Sequence, residues 1–300
     1  MLLITGPTGN TGREVVARLH STDHPFRVLT RRPEAARQLE AQGLDVVLGD
    51  FDRPETLPAA LEGVHRAFLV CTPDPKMVER ETGFIDAARA AGVERVVKIS
   101  ALGADAASDS PNLRFHAAIE DHLRASGLDY TILRPHAFMQ TMFWMCLPTI
   151  HEHGIVSGPA GDGAAAHIDL RDVAAVAVSA LTTDEHARSA YDLTGPEAVT
   201  MAQIADLFAP LVGKPLAYVP SPEEPVAMAM RAMGVPETSV EHVLVVFRKI
   251  RDGQLADVTD TLRTLGIEPG TWQGFVDDVA AGRTGAATSF EPPGAPPAAG

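Results

Sequence analysis

A short apolar run, Leu2-Leu3-Ile4-Thr5, leads straight into Gly6-Pro7-Thr8-Gly9-Asn10-Thr11-Gly12, and a helix-like stretch follows. Glycines spaced Gly-x-x-Gly-x-x-Gly at such a junction permit a tight turn. They also let backbone N–H groups approach a diphosphate seated at the positive end of the helix dipole. Gly6, Thr8, Gly9, Asn10, Thr11 and Gly12 are therefore the expected cradle of a dinucleotide. Arg31 and Arg32 follow the second apolar run. A site selective for NAD places a carboxylate there, on the ribose 2′-hydroxyl. A guanidinium fits a 2′-phosphate and stacks on adenine, so NADP(H) is expected in preference to NAD(H). Asp50 and Phe51 close the third run as candidate adenine contacts, and Thr72-Pro73 after the fourth as candidate ribose contacts. Each segment also reads as a plain exit from a strand.

These residues need a frame to hold them. Apolar runs at Leu2–Thr5, Arg27–Thr30, Asp45–Leu48, Arg66–Cys71, Arg95–Ser100 and Asp129–Leu133 alternate with helical periodicity, such as Val15, Val16 and Leu19 or Ile119 and Leu123. Continuous apolar strands separated by helices predict an α/β, Rossmann-type doubly wound parallel sheet, with its ligand crevice at the strand C-termini. Beyond about Pro135 the rhythm changes. A Met- and Phe-rich helix is expected at His136–Ile150, a strand at Ala166–Leu170, a helix at Asp172–Leu181 with Asp172 as N-cap, a strand at Ala190–Leu193, and a helix at Met201–Val212. The division expected is a dinucleotide-binding domain over 1–150 with strands added from 164–195, then a smaller α/β substrate lobe, mainly helical, over 196–285. A disordered tail is expected over 286–300, where Pro and Gly dominate.

Composition narrows the function. The net charge of −14 over 300 residues repels a phosphate backbone and argues against nucleic-acid binding. The two cysteines, Cys71 and Cys146, lie in apolar runs without metal-ligand spacing, so neither a disulfide scaffold nor a metal is expected. No basic leader precedes the first strand and no apolar stretch is long enough to span a bilayer. The expectation is a cytoplasmic protein that engages no membrane.

Further segments carry a resemblance. Val97-Lys98-Ile99-Ser100 is followed by Glu120, by Ser126-Gly127-Leu128-Asp129-Tyr130-Thr131-Ile132-Leu133-Arg134-Pro135, by Phe138-Met139, and by Ile168-Asp169-Leu170-Arg171-Asp172-Val173-Ala174. With the glycine turn, and in that order, these segments over residues 1 to about 285 resemble the NmrA-like branch of the atypical short-chain dehydrogenase/reductases. That branch includes quinone-oxidoreductase-like and isoflavone-reductase-like members. The resemblance implies a Rossmann fold and an NAD(P) cofactor, with Pro135 counted among the cofactor contacts. It also exposes a departure. Active short-chain dehydrogenases carry Tyr-x-x-x-Lys on the helix before the Leu-Arg-Pro strand. Counting back from Glu120 puts His116 in the Lys slot and Asn112 in the Tyr slot, while Ser100 keeps the usual serine position.

The phenol that would protonate a substrate oxygen is thus absent. Ser100, His116 and Asn112 remain as candidate catalytic residues. His136, Phe138, Met139, Met142 and Phe143 are candidates for an apolar substrate wall, in which Met adapts to shape. Hydride transfer depends mainly on positioning, and a quinone, conjugated alkene or iminium can accept hydride without a strong acid. The reading is an NADPH-dependent reductase of such an apolar small molecule, with a homodimer as a candidate assembly. A non-catalytic NADP(H)-binding redox sensor is the alternative, and an isomerase or lyase on the same fold is the third.

Overall fold

Six apolar runs spread over the first 135 residues line up as parallel strands, each returning to the sheet through a helix. The computed structural model describes residues 1–283, so the tail expected over 286–300 lies outside the described residues. The chain runs through β1 (Leu2–Thr5), α1 (Asn10–His20), β2 (Phe26–Thr30), α2 (Pro33–Ala41), β3 (Asp45–Leu48), α3 (Leu57–Leu61), β4 (Arg66–Leu69), α4 (Met77–Ala90), β5 (Arg95–Ile99), α5 (Pro111–Ala125) and β6 (Asp129–Pro135). It continues through α6 (Met139–His153), β7 (Ile155–Gly158), β8 (Ala164–Ala165), α7 (Leu170–Thr182), β9 (Ser189–Leu193), β10 (Val199–Thr200), α8 (Met201–Val212) and β11 (Ala217–Pro220). The last elements are α9 (Glu223–Ala232), α10 (Glu237–Arg251), α11 (Thr261–Thr264) and α12 (Trp272–Ala280).

The chain divides into two compact units. The first comprises Met1–Ser108, Leu113–Pro135 and Arg171–Leu193. Its seven strands run in the order β3-β2-β1-β4-β5-β6-β9, every neighbouring pair parallel. This is the doubly wound Rossmann-type sheet, and its order reverses at β1, which lies between β2 and β4. Leu3, Ile4, Val28, Phe68, Val96, Val97 and Ile132 are buried, as a sheet covered on both faces requires. Two guanidinium groups fix the edge away from the site. Arg66 and Arg95 each donate to the Thr183 carbonyl, at 2.6 and 2.7 Å, just past the C-terminal end of α7, where positive charge is favoured.

The second unit comprises Asp109–Asn112, His136–Leu170 and the described residues from Thr194 to Arg283. It holds two small sheets, β7 with β11 in parallel and β8 with β10 antiparallel. Its core joins Met139, Met142, Cys146 and Phe208 with Trp272 and Phe275, whose rings meet edge to face. A capping box between Thr200 and Gln203 starts α8. Among the described residues no helix is long and apolar enough to cross a membrane, and no group of His, Cys, Asp or Glu could hold a metal ion. Both cysteines are free thiols.

Three boundaries differ from expectation, each for a local reason. The helix expected at His136–Ile150 starts later, because the backbone around Phe138 pairs with Ile168: Ile168 N–H donates to Ala137 O at 3.1 Å, and Met139 N–H to Ile168 O at 2.9 Å. The strand expected at Ala166–Leu170 shrinks to that bridge. Helix α7 begins at Leu170, which puts Asp172 inside its first turn instead of at the N-cap. With α6 in the second unit, the first unit breaks at Pro135 instead of 150 and takes back α7 and β9, within the 164–195 stretch expected to contribute strands.

Candidate cofactor and active site

The glycine turn is built so that the start of α1 presses on the end of β1. Gly6 takes the left-handed conformation, φ +60°, and Gly9 N–H donates to Gly6 O at 3.0 Å. A Cβ at Gly12 would stand 2.0 Å from Gly6 O and 2.7 Å from Gly6 C, so no side chain fits there. No side chain caps α1, whose first turn carries no acid. Its leading N–H groups therefore suit an anion, and a diphosphate fits this cradle. Thr8 and Gly9 are exposed and Asn10 is half-buried, accepting from Arg13 at 3.3 Å; Thr11 points into the fold.

Arg31 is exposed at the end of β2, while Arg32 reaches back and donates to Thr8 Oγ1 at 3.4 Å. The pair thus borders the glycine turn. Asp50 turns into its own loop instead: its Oδ1 accepts from Asp52 N–H at 3.0 Å, and Arg53 stands 3.7 Å from Oδ2. Phe51 leans on Phe84 with centroids 5.1 Å apart. Thr72 is exposed and Pro73 half-buried. The residue that organises this rim is Arg80 on α4, which sequence reasoning passed over. It grips Asp52 with two bonds of 2.8 Å and Asp74 with one of 2.6 Å, tying the loop after β3 to the loop after β4. The available signal was an acid in each of two consecutive strand-exit loops.

At the end of β5 the polar side chains are buried and matched. Ser100 N–H donates to Leu133 O at 2.7 Å, and Leu102 N–H to Pro135 O at 3.0 Å. Ser100 Oγ donates to the Glu120 carboxylate, which Arg134 and Arg124 also hold. The Ser100 proton is thereby committed, leaving its oxygen lone pairs for a ligand. Burial pushes the Glu120 carboxyl up, but the hydrogen bonds from Arg134, Ser100 and Arg124 outweigh it and hold the group below its ordinary 4.5. A depressed carboxylate adds stability that is present above the unfolded value and lost as pH falls through the folded one. Glu120→Gln is expected to lower the melting temperature at neutral pH and to flatten its decline towards about pH 3 in thermal scans.

His116, on α5, is buried at 7% exposure, with its Nδ1 3.3 Å from Lys98 Nζ. Lys98 pairs with Glu81 of α4 at 2.7 Å, and both are fully buried. Burial pushes the Cys71 thiol, at the exit of β4, up to about 11, with the Glu81 charge adding to the effect, so it is no nucleophile at neutral pH.

In the second unit Asn112 is buried and its Oδ1 meets no hydrogen-bond partner among the described residues. His136 hydrogen-bonds the Leu255 carbonyl through Nε2 at 3.2 Å, and burial holds its ring below the ordinary imidazole range. Phe138 is half-buried, while Met139, Met142 and Phe143 belong to the core of the unit. Phe143 also borders a cavity of about 350 Å³ with Leu147, Ile150, His151 and Phe208.

The sheet order and the glycine turn together define a Rossmann-type α/β protein. The profile of the NmrA-like family matches residues 1–268, and the chain belongs to that family. It is 38% identical over 264 residues to the NAD(P)H azoreductase of Xenophilus azovorans, covering 87% of this chain and 91% of that protein. The crystal structure of the NADPH-dependent quinone oxidoreductase of Escherichia coli, complexed with NADPH, superposes with a TM-score of 0.83. The identity is 30%, over 93% of this chain and 99% of that one. The triphenylmethane reductase of Citrobacter sp., complexed with NADP(H), gives a TM-score of 0.82 at 25% identity, over 92% and 99%.

Proposed function

We propose that the protein is an NADPH-dependent reductase that passes hydride to a quinone-like, conjugated or iminium acceptor in an apolar small molecule. The observation that carries this reading is the closed glycine turn, with no room for a Cβ at Gly12 and an uncapped α1. When bound, NADPH supplies the hydride; the residues of the chain bind, orient and hydrogen-bond. Gly6, Gly9 and Gly12 would let the diphosphate approach α1, and Arg31 and Arg32 would hold the 2′-phosphate. Ser100 and His116 lie at the C-terminal side of the sheet, where such folds do their chemistry. Acceptors of this kind spread the incoming electron pair, which suits a chain that carries Asn112 where active members of the wider superfamily carry a phenol. An azoreductase, a quinone oxidoreductase and a triphenylmethane reductase among the similar proteins support the acceptor class. The same reading places the protein in the reducing cytoplasm.

The test is to mix the purified protein with NADPH and a panel of quinones, azo dyes and triphenylmethane dyes, following the absorbance of reduced cofactor. Turnover with at least one acceptor is expected, faster with NADPH than with NADH. Replacing both Arg31 and Arg32 by Ala is expected to cut the NADPH-over-NADH ratio of kcat/KM about a hundredfold, since each charge-assisted bond is worth about 1.5–3 kcal/mol and each 1.4 kcal/mol is a factor of ten. The absent phenol also favours a second reading, a sensor that binds the cofactor without turnover. It requires unequal affinities for NADP⁺ and NADPH, because a ligand that binds both states equally shifts nothing.

A further inference from the structure

Asp52 and Asp74 lie in loops that leave two different strands, and a single guanidinium on α4 takes both. We propose that Arg80 is a positioning residue for the cofactor: by locking the exit of β3 to the exit of β4, it holds ready the trough that takes the adenosine half of NADPH. The inference rests on the cofactor part of the reading above and deepens it.

Strands β3, β2, β1 and β4 are neighbours in that order and all parallel, so their four exits lie along one edge of the sheet. The glycine turn leaves β1, and Arg31-Arg32 leaves β2. A dinucleotide with its diphosphate on the turn and its 2′-phosphate on the arginines would lay its adenosine over these two inner strands. The exits of β3 and β4 then flank it on either side. The first carries Asp50 and Phe51, the second Thr72 and Pro73.

The backbone N–H of Arg80 donates to Lys76 O at 3.0 Å in the first turn of α4, so the helix fixes where the side chain starts. Its Nε and Nη2 each reach one oxygen of Asp52 at 2.8 Å, the two-pronged fit between guanidinium and carboxylate, while Nη1 reaches Asp74 at 2.6 Å. The Arg80 side chain is only 13% exposed, which shields these bonds from much of the screening that weakens surface pairs. They hold the Asp52 carboxyl below its ordinary 3.8, and Lys76 and Arg31 stand near enough to add to that effect. Each loop is also closed on itself. Asp52 N–H donates to Asp50 Oδ1 at 3.0 Å, and Lys76 N–H to Asp74 Oδ1 at 2.8 Å. Arg80 thus joins two preformed turns, and one side chain sets the spacing between the walls.

Without that cation two carboxylates are left facing each other, and their repulsion drives the loops apart. A site that is formed for only a fraction of the time binds its ligand more weakly by that fraction. The adenosine is common to both pyridine nucleotides, so the loss should be blind to the 2′-phosphate. This separates Arg80 from Arg31 and Arg32, which select between NADPH and NADH.

Arg80→Met tests this in three ways. Hydrogen exchange of the cofactor-free variant should be faster than in the native protein at residues 50–53 and 71–76, with β1 and β5 unchanged. In calorimetry the affinities for NADPH and for adenosine 2′,5′-bisphosphate should fall by the same factor, about tenfold. In kinetics KM for NADPH should rise about tenfold while kcat changes by less than about threefold, because the tie acts on binding and not on the reacting end. The NADPH-over-NADH ratio of kcat/KM should stay as it is. Asp52→Asn keeps the shape and loses the charge. It should weaken both ligands about threefold, and it carries the test if Arg80→Met does not fold. Unchanged exchange in the two loops overturns the role of Arg80, as does unaltered affinity for the bisphosphate. A fall in kcat as large as the rise in KM, which general damage would give, overturns it too. Absence of NADPH binding by the native protein overturns the cofactor reading itself. Native binding that Arg80→Met leaves untouched overturns the tie alone.

Discussion

Gly12→Ala is expected to weaken NADPH binding a hundredfold or more, on the order of two lost charge-assisted hydrogen bonds, while leaving the sheet folded. The added methyl would stand 2.0 Å from Gly6 O and 3.3 Å from Pro7 Cα, and all of its closest neighbours are main chain. Backbone cannot rotate aside as a flexible side chain can, so α1 must tilt away from β1 or the turn must open. Either movement withdraws the N–H groups that would meet the diphosphate, and this is why the loss falls on binding more than on the core. Overpacking of this kind costs about 1–3 kcal/mol of stability, which a protein of this size should survive. Calorimetric titration reads the affinity and a thermal scan reads the fold. Gly83→Ala is the control: Gly83 lies inside α4 with open space where its Cβ would go, and gains of up to about 1 kcal/mol are expected there from helix propensity. Unaltered NADPH affinity in Gly12→Ala would remove the diphosphate from this turn.

The sheet was legible because each layer of signal agreed. Apolar runs of four to seven residues, β-branched and bounded by helical periodicity, specify buried parallel strands, and the glycines after β1 mark a junction where backbone must meet backbone. The polar interior was less legible. Lys98 sat within Val97-Lys98-Ile99-Ser100, where the flanking apolar residues identified the strand, but no spacing rule joins it to Glu81 or His116, which are brought in by two different helices. Arg80 escaped for the same reason, since its acids lie in separate loops. Ser100 is legible at the end of its strand, yet only three dimensions show that its hydroxyl faces Glu120. The Met-rich helix was legible only in part. Periodicity tells which side chains share a face and not what covers it. In the structure Met139 and Met142 are covered by the core of their own unit, while Phe143 joins that core and also lines a cavity.

Glu81→Leu is expected to cost about 3–5 kcal/mol, the usual result of leaving one buried charge without its partner, and to lower the melting temperature by roughly 10 °C. Lys98→Met should be milder and should depend on pH. Burial already pushes the Glu81 carboxyl above its ordinary 4.5, with the Lys98 charge working against that shift. Removing Lys98 raises it further, so the carboxyl can take a proton. A group whose folded value is raised contributes stability that is present below the unfolded value and is lost as pH rises through the folded one. The deficit of Lys98→Met should therefore be small near pH 5 and grow towards pH 8. The double variant Glu81→Leu/Lys98→Met should recover most of the loss, because a buried pair replaced as a unit is often nearly neutral. What it cannot recover is the pairing of the Ile99 carbonyl and of His116 Nδ1, about 1–2 kcal/mol for acceptors left without a donor. Denaturant titrations of the four proteins at pH 5 and pH 8 close this cycle. Additive losses would mean that Glu81 and Lys98 act independently, in which case Lys98 would have no fixed partner to hold it against His116.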